Sequence, residues 1–285
     1  MSRTSFNELL EVGAHFGHMR SKWNPAMAPY IFAEKNGIHI IDLNKTVVKI
    51  DEAANALKQI ARSGKKILFV ATKKQAKEIV AERVKGVAMP YVTERWPGGM
   101  LTNFATIRKT IRRMAQIDKM TKDGTFANIS KKERLSISRE RAKLEIQFGS
   151  IADLSRLPAA IFIVDVSKEH IAVAEAKRLN IPTFAIVDTN SNPNIVDYPI
   201  PANDDASTSI AYIVDVICKS ISEGLSDRKM DKDAAANDEA EEKDSHGEAE
   251  ELAMSSVKVK DSLLKEEEGK GPKKAGTRKR TVAKK

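Results

Sequence analysis

Three short apolar runs constrain this chain most. KKILFVAT (65–72), AAIFIVD (159–165) and PTFAIVD (182–188) each hold four to six consecutive apolar residues, rich in β-branched Ile and Val, without polar alternation. Strands that are polar on one face alternate. Strands buried on both faces do not, and they belong to parallel sheets covered by helices. The intervening segments read as helices: KKQAKEIVAERVK after the first run and SKEHIAVAEAKRL after the second. VAMPYV (87–92) is a weaker strand signal, and Ile210–Ile221 closes the series as a helix with Gly224 beyond it. The pattern predicts an α/β fold with a doubly wound, mainly parallel sheet of flavodoxin- or Rossmann-like type.

The flanking segments read differently. YIFAEK (30–35) and IHIIDL (38–43) are joined by Asn36-Gly37, the dipeptide suited to a two-residue hairpin turn. Residues 44–62 place Val47, Ile50, Ala54, Leu57 and Ala61 at helical spacing, with Gly64 just past the end. Between VAMPYV (87–92) and AAIFIVD (159–165) the rhythm breaks. Phe104, Ile107, Ile111, Met114 and Ile117 form one narrow stripe; Ser130 and Glu133 fit a capping box; Ile137, Arg141, Leu144 and Phe148 repeat the spacing, and Gly149 ends it. Two such helices with a short link predict an antiparallel hairpin that projects from the sheet domain. From Asp227 onward periodicity is lost. Asp227–Glu251 carries 11 acidic against 4 basic residues and Leu252–Lys285 the reverse imbalance, 4 against 11, with no aromatic residue. Such a segment buries too little apolar surface to offset its ordering entropy, so a disordered tail is expected, with its basic end as a nonspecific RNA-contacting arm in the alternative. The domains are therefore 1–103 with 150–226 (core), 104–149 (inserted hairpin) and 227–285 (tail).

Charge narrows the function. The chain nets +9, and the tail holds 15 basic and 15 acidic residues, so the excess lies in the first 226 residues. Arg95–Glu145 alone carries 13 basic against 5 acidic. An excess confined to one segment points to a polyanion-facing surface. The lone Cys218 permits no disulfide framework and sits in an apolar run, as a small buried thiol does. No run has transmembrane length and the first residues do not resemble a signal peptide, so a cytoplasmic protein with no membrane partner is expected.

RWPGGMLTN (95–103) is the most unusual local stretch, because two adjacent glycines between a strand and a helix often wrap a phosphate. It fits neither GxxxxGK[ST] nor GxGxxG, and neither pattern occurs elsewhere. The candidate anion is instead a nucleic-acid backbone. Gly98 and Gly99 supply a sharp, hinge-like turn first and direct backbone contact second, Trp96 would stack on a base or pack against its own domain, and Asn103 belongs to the same RNA-binding set. Arg108, Lys109, Arg112 and Arg113 fall along one side of the following helix, with no acidic residue until Asp118. Arg20, Lys22, Lys73, Lys74 and Arg95 complete the expected phosphate-neutralising set. His18, Asp188, Asp204 and Asp205 form a candidate site for a structural divalent metal, since ligands collect at the carboxyl ends of such strands. The plainer alternative has Asp204 or Asp205 capping the last helix. No cofactor is expected beyond that ion. No nucleophile elbow and no oriented general base is visible, so no catalytic residue is assigned.

Several blocks resemble a known family. LLEVGAHFGHMRSKWNPAMAPYIFAEKNGIHIIDLNKT, ILFVATKKQA, RWPGGMLTNFATI and LPAAIFIVDVSKEHIAVAEAKRLNIPTFAIVDTNSNP…IPANDDA are similar to the bacterial small-subunit ribosomal protein two family, in order from about Phe6 to Gly224. The resemblance implies a doubly wound domain with an inserted helical hairpin, the hairpin favouring the bacterial or organellar branch. It also implies a structural role in the small ribosomal subunit, binding to small-subunit ribosomal RNA, neighbouring ribosomal proteins as partners, and help in recruiting the large ribosomal protein one. The tail departs from the common pattern, so nothing is carried over to it. Two rival readings stand beside this one: a small-molecule-binding α/β enzyme using strand ends near Thr72, Asp165 and Asp188, and a protein–protein adaptor docking through the hairpin.

Overall fold

A computed structural model describes residues 3–123 and 130–233. The chain opens with helix α1 (Phe6–Glu11), whose capping box pairs Ser5 with Glu8. Strands β1 (Phe16–Met19), β2 (Ile31–Lys35) and β3 (Ile38–Ile41) form a small antiparallel sheet in the order β1-β3-β2. Asn36 and Gly37 both have positive φ, so the β2–β3 hairpin turns where the Asn-Gly dipeptide predicts. The strand β1 was not legible in sequence. Helix α2 (Leu43–Arg62) follows, with the Asp42 side chain accepting from the Asn44 N–H.

The main sheet comprises β4 (Ile67–Val70), β5 (Tyr91–Val92), β6 (Ala160–Val164), β7 (Thr183–Val187) and β8 (Tyr198–Pro201). Its order is β5-β4-β6-β7-β8 and every pairing is parallel. This is a doubly wound arrangement with its switch point between β4 and β6. The edge strand β8 was missed because its sequence, YPIP, contains two prolines; prolines are tolerated at an edge, where an N–H has no ladder partner to lose.

Every residue of β4, β6 and β7 is buried. One face aligns Phe69, Phe162 and Phe184 in register, and Phe184 stacks on Tyr198 with ring centroids 4.4 Å apart. That face packs against α2, against Ala76, Val80 and Val84 of helix α3 (Lys74–Gly86), and against Ile210, Ile213 and Ile217 of helix α7 (207–233). The opposite face, with Leu68, Val70, Ile161 and Ile163, packs against Ala172, Val173 and Ala176 of helix α6 (His170–Arg178). Helices on both faces explain why the strands show no alternation.

Helix α7 corrects one expectation. It does not stop before Gly224 but runs on to residue 233. A Cβ at Gly224 would lie 2.4 Å from the Lys58 carbonyl oxygen and 3.1 Å from the Ala61 Cβ. The glycine is there for close approach to α2, not to end a helix. Residues 227–233 are thus helical, and the rest of the expected tail lies outside the described residues.

The insert is helix α4 (Phe104–Lys122) and helix α5 (Lys131–Phe148). Ser130 caps α5 by accepting from the Glu133 N–H. The helices run antiparallel: Ile107 shares a cluster with Phe148, while Arg141 Nε donates to Asp118 at 2.5 Å further along.

Candidate nucleic-acid interface

The loop 95–103 does hold an anion, but the anion is the protein's own. Its donors converge on the Glu175 carboxylate of α6. The Gly99 N–H reaches Oε1 at 2.7 Å and the Trp96 indole N–H reaches it at 3.2 Å. The Leu101 N–H, Thr102 N–H and Thr102 hydroxyl reach Oε2 at 2.9, 3.1 and 3.2 Å. Gly99 has φ +85°, a left-handed conformation that lets its N–H point inward. Burial pushes the Glu175 pKa up, but these donors outweigh it, and the carboxyl sits below its usual range.

Two expectations are corrected here. Trp96 is only 6% exposed, so its ring packs into the core and does not offer a face to a base. The Gly99 N–H is spent on Glu175 and is not available to a phosphate. Gly98 is exposed, with open space around it. Asn103 is exposed and its side-chain oxygen accepts from the Thr106 hydroxyl at 2.8 Å. Glu175 itself was missed. The available signal was an acidic residue three positions after Ala172 and one before Ala176, on the stripe that α6 buries.

The expected cations divide. Lys73 is not a phosphate ligand: its side chain is 11% exposed, and its ammonium lies 2.7 Å from Asp204, 2.5 Å from Asp205 and 3.6 Å from Asp165. Burial opposes its charge, yet the carboxylates prevail and raise its pKa. Arg20, Lys22, Lys74 and Arg95 are exposed; Arg20 lies 3.4 Å from Glu34 with 71% of its side chain still in solvent. On α4, Lys109, Arg112 and Arg113 are exposed and Arg108 is half-buried. The opposing helix neutralises part of this face, since Arg113 Nε donates to Glu140 at 3.4 Å. The partner comes from the other helix, although α4 itself offers no acidic residue before Asp118. The loop anchored by Glu175 leads straight into α4, so the sheet domain fixes where this basic face starts.

The switch-point crevice is filled by the chain itself. Glu169 accepts from the Thr72 N–H at 3.3 Å and from the Thr72 hydroxyl. Lys168 Nζ donates to the Thr72 carbonyl at 2.9 Å, and Lys73 covers Asp165. The position where open α/β sheets receive ligands is occupied by internal ion pairs and hydrogen bonds.

At the carboxyl end of β7 the four metal candidates do converge. His18 Nδ1 lies 3.0 Å from Asp188 Oδ2, and Nε2 lies 3.3 Å from Asp205 Oδ2. Its hydrogen bond to Asp188 raises the His18 pKa. Burial, then repulsion from Asp188 and Asp165, pushes the Asp204 carboxyl up to about 7. Neither aspartate caps α7. Asn203 turns the chain there, accepting from the Asp205 and Ala206 N–H groups at 2.8 and 3.1 Å.

A doubly wound sheet whose switch-point crevice is filled by its own side chains, carrying an inserted basic hairpin, defines the class of α/β protein to which this chain belongs. The chain belongs to the ribosomal protein S2 family, a structural and non-enzymatic family whose model matches residues 9–224. It is 66% identical over 241 residues to the small ribosomal subunit protein uS2 of Parabacteroides distasonis, covering 84% of this chain and 87% of that one. It is 68% identical over 232 residues to that of Phocaeicola vulgatus (81% and 83%), and 67% identical over 232 residues to that of Porphyromonas gingivalis (81% and 83%). Among the described residues no helix is long and apolar enough to cross a membrane.

Proposed function

We propose that this chain is a structural component of the small ribosomal subunit that holds small-subunit ribosomal RNA through backbone contacts. The observation that carries this reading is the row of exposed cations Lys109, Arg112 and Arg113 on a helix fixed to the core by the Glu175-anchored loop. Arg20, Lys22, Lys74 and Arg95 extend the contact set. Folded RNA is read largely through phosphates and 2′-hydroxyls, which suits cations without an exposed aromatic stacking platform on this loop. About six phosphate contacts give an affinity that falls by roughly three decades between 50 and 200 mM salt. Binding of the full chain to 16S-type RNA fragments, measured across that range, tests the reading; a flat salt dependence contradicts it.

Help in recruiting the large ribosomal protein one is carried by the family resemblance. The exposed apolar side chains of the small sheet, Phe16, Met19 and Phe32, favour a protein neighbour over RNA on that side. Co-sedimentation of a Phe32→Ser variant with small subunits lacking or holding that protein tests this finer role. Unchanged retention of the large protein counts against it.

A further inference from the structure

We propose that Trp23 is a stacking platform for one unpaired base of an RNA strand whose neighbouring phosphates fall to Arg20 and Lys22. The proposal rests on the RNA-binding reading and adds to it a contact of another chemistry, away from the hairpin. Trp23 is 37% exposed, whereas Trp96, the other of the two tryptophans in the chain, is 6% exposed. Every base presents an apolar face, so an indole in solvent beside cations suits a single-stranded stretch of RNA.

The ring is held in place before any ligand arrives. It follows a single 3₁₀ turn, Arg20–Lys22. The Arg20 N–H donates to the Gly37 carbonyl at 2.9 Å, which ties that turn to the β2–β3 hairpin. On the other side, the Asn24 N–H donates to the Thr189 carbonyl at 2.7 Å, and the Asn24 side chain accepts from the Ala26 N–H at 2.9 Å. The indole rests against His39, with ring centroids 5.2 Å apart and planes at 44°. His39 is 7% exposed, and neither of its ring nitrogens has a hydrogen-bond partner. Keeping both nitrogens from water costs free energy. Local costs of this kind collect at functional sites. Here the cost accompanies an indole supported on one side and open to solvent on the other. An aromatic fixed in this way loses little freedom when a base stacks on it.

Placement favours RNA over a protein at this spot. Successive residues of β3 point to opposite faces of the small sheet, so His39 lies on the face opposite Ile38 and its register partner Met19. The exposed apolar side chains Met19 and Ile38 therefore belong to the other face. On the Trp23 side the neighbours are charged. Glu34 stands opposite His39 in the register and lies 3.4 Å from Arg20, whose side chain is still 71% exposed. Lys22 is exposed as well. Two cations beside one aromatic complement a polyanion that carries stacking faces.

The test uses the full chain at low salt with three probes: oligoadenylate, an abasic ribose-phosphate oligomer of the same length and charge, and small-subunit ribosomal RNA. Oligoadenylate should bind about 5–150-fold more tightly than the abasic oligomer, the range expected of one stacked base. It should also quench indole emission, and the quenching should vanish in Trp23→Phe, where Trp96 is the only emitter. Trp23→Ala should erase the preference for bases and leave binding of the abasic oligomer unchanged, while Trp23→Phe should keep part of the preference. Equal affinity of the unaltered chain for the two oligomers overturns the proposal and needs no substitution. Quenching that persists in Trp23→Phe also overturns it. So does a Trp23→Ala variant that keeps its base preference but no longer co-sediments with neighbouring ribosomal proteins, which assigns the surface to a protein. If the oligomers are not distinguished yet small-subunit RNA still binds with a steep salt dependence, the stacking proposal fails and the phosphate-contact reading stands; absence of all RNA binding sinks both.

Discussion

The sheet core and the inserted hairpin solve different problems with the same helix-forming residues. In the core, whole strands are buried and α2 sinks Ile50, Ala53, Ala54, Leu57 and Ala61 fully. In the hairpin, α4 buries only Ile107, Met114 and Ile117, and α5 buries only Phe148. Leu135 and Ile146 of α5 are 52% and 66% exposed. The core concentrates apolar burial, while the hairpin depends on its base, where Phe148, Ile107 and the Glu175-anchored loop join the second core face. Its flanks are then free to carry charge. Stability and binding are thus assigned to different regions, and the junction between them is the loop 95–103.

The sharpest way to break this contrast is Phe162→Ala at the centre of the aromatic row. It should cost about 3–5 kcal/mol in urea unfolding, because the cavity lies under both β4 and β7. A loss below 1 kcal/mol would mean that the row is not what holds the sheet. Glu175→Gln comes next. It replaces a charged acceptor of several converging donors and should cost about 2–3 kcal/mol. RNA affinity should also fall, although Glu175 touches no RNA. Intact affinity would show that the loop does not position α4.

The same pair of proteins gives a pH test. The Glu175 carboxyl has a folded pKa below the ordinary 4.5, so its stabilisation is present above 4.5 and is lost as pH falls through the folded value. The stability gap between wild type and Glu175→Gln should therefore shrink between pH 6 and pH 3. A gap that widens on acidification refutes the cradle as a charge-based anchor. On the hairpin, Lys109→Ser with Arg112→Ser should lower the salt slope of RNA binding by about one for each phosphate contact removed. Their unfolding midpoint should move within about 0.5 kcal/mol, since both are exposed. The smallest effect is expected from Leu135→Ala on α5, again within about 0.5 kcal/mol and without change in RNA binding. A larger loss would show that this exposed leucine has a partner on the ribosome or in the fold.

Legibility followed periodicity. The strands β4, β6 and β7, the helix α2 and the α4 stripe could be read because burial on a repeating face leaves a repeating sequence mark. β8 could not, because its prolines mimic a loop. Gly224 misled because a glycine that permits close helix packing looks, in sequence, like one that ends a helix. The exposure of Lys109 and Arg112 was legible, because a basic run on a helix stays in solvent. Trp96, Gly99 and Lys73 were misassigned because each had an internal partner far along the chain: Glu175 for the first two, Asp204 for the third.

RWPGGMLTN shows where the division falls. The sequence by itself determined that the chain turns sharply there, that the turn exposes backbone donors, and that a basic helix follows. Those are local properties of glycine, of charge and of helical spacing. Only the tertiary structure decided which anion the donors meet, because that depends on packing α6 beside the loop 76 residues earlier in the chain than Glu175. The same holds for His18, 171 residues from the Thr189 hydroxyl to which its backbone N–H donates. Contacts of that separation leave no periodic trace, and the fold alone brings them within reach.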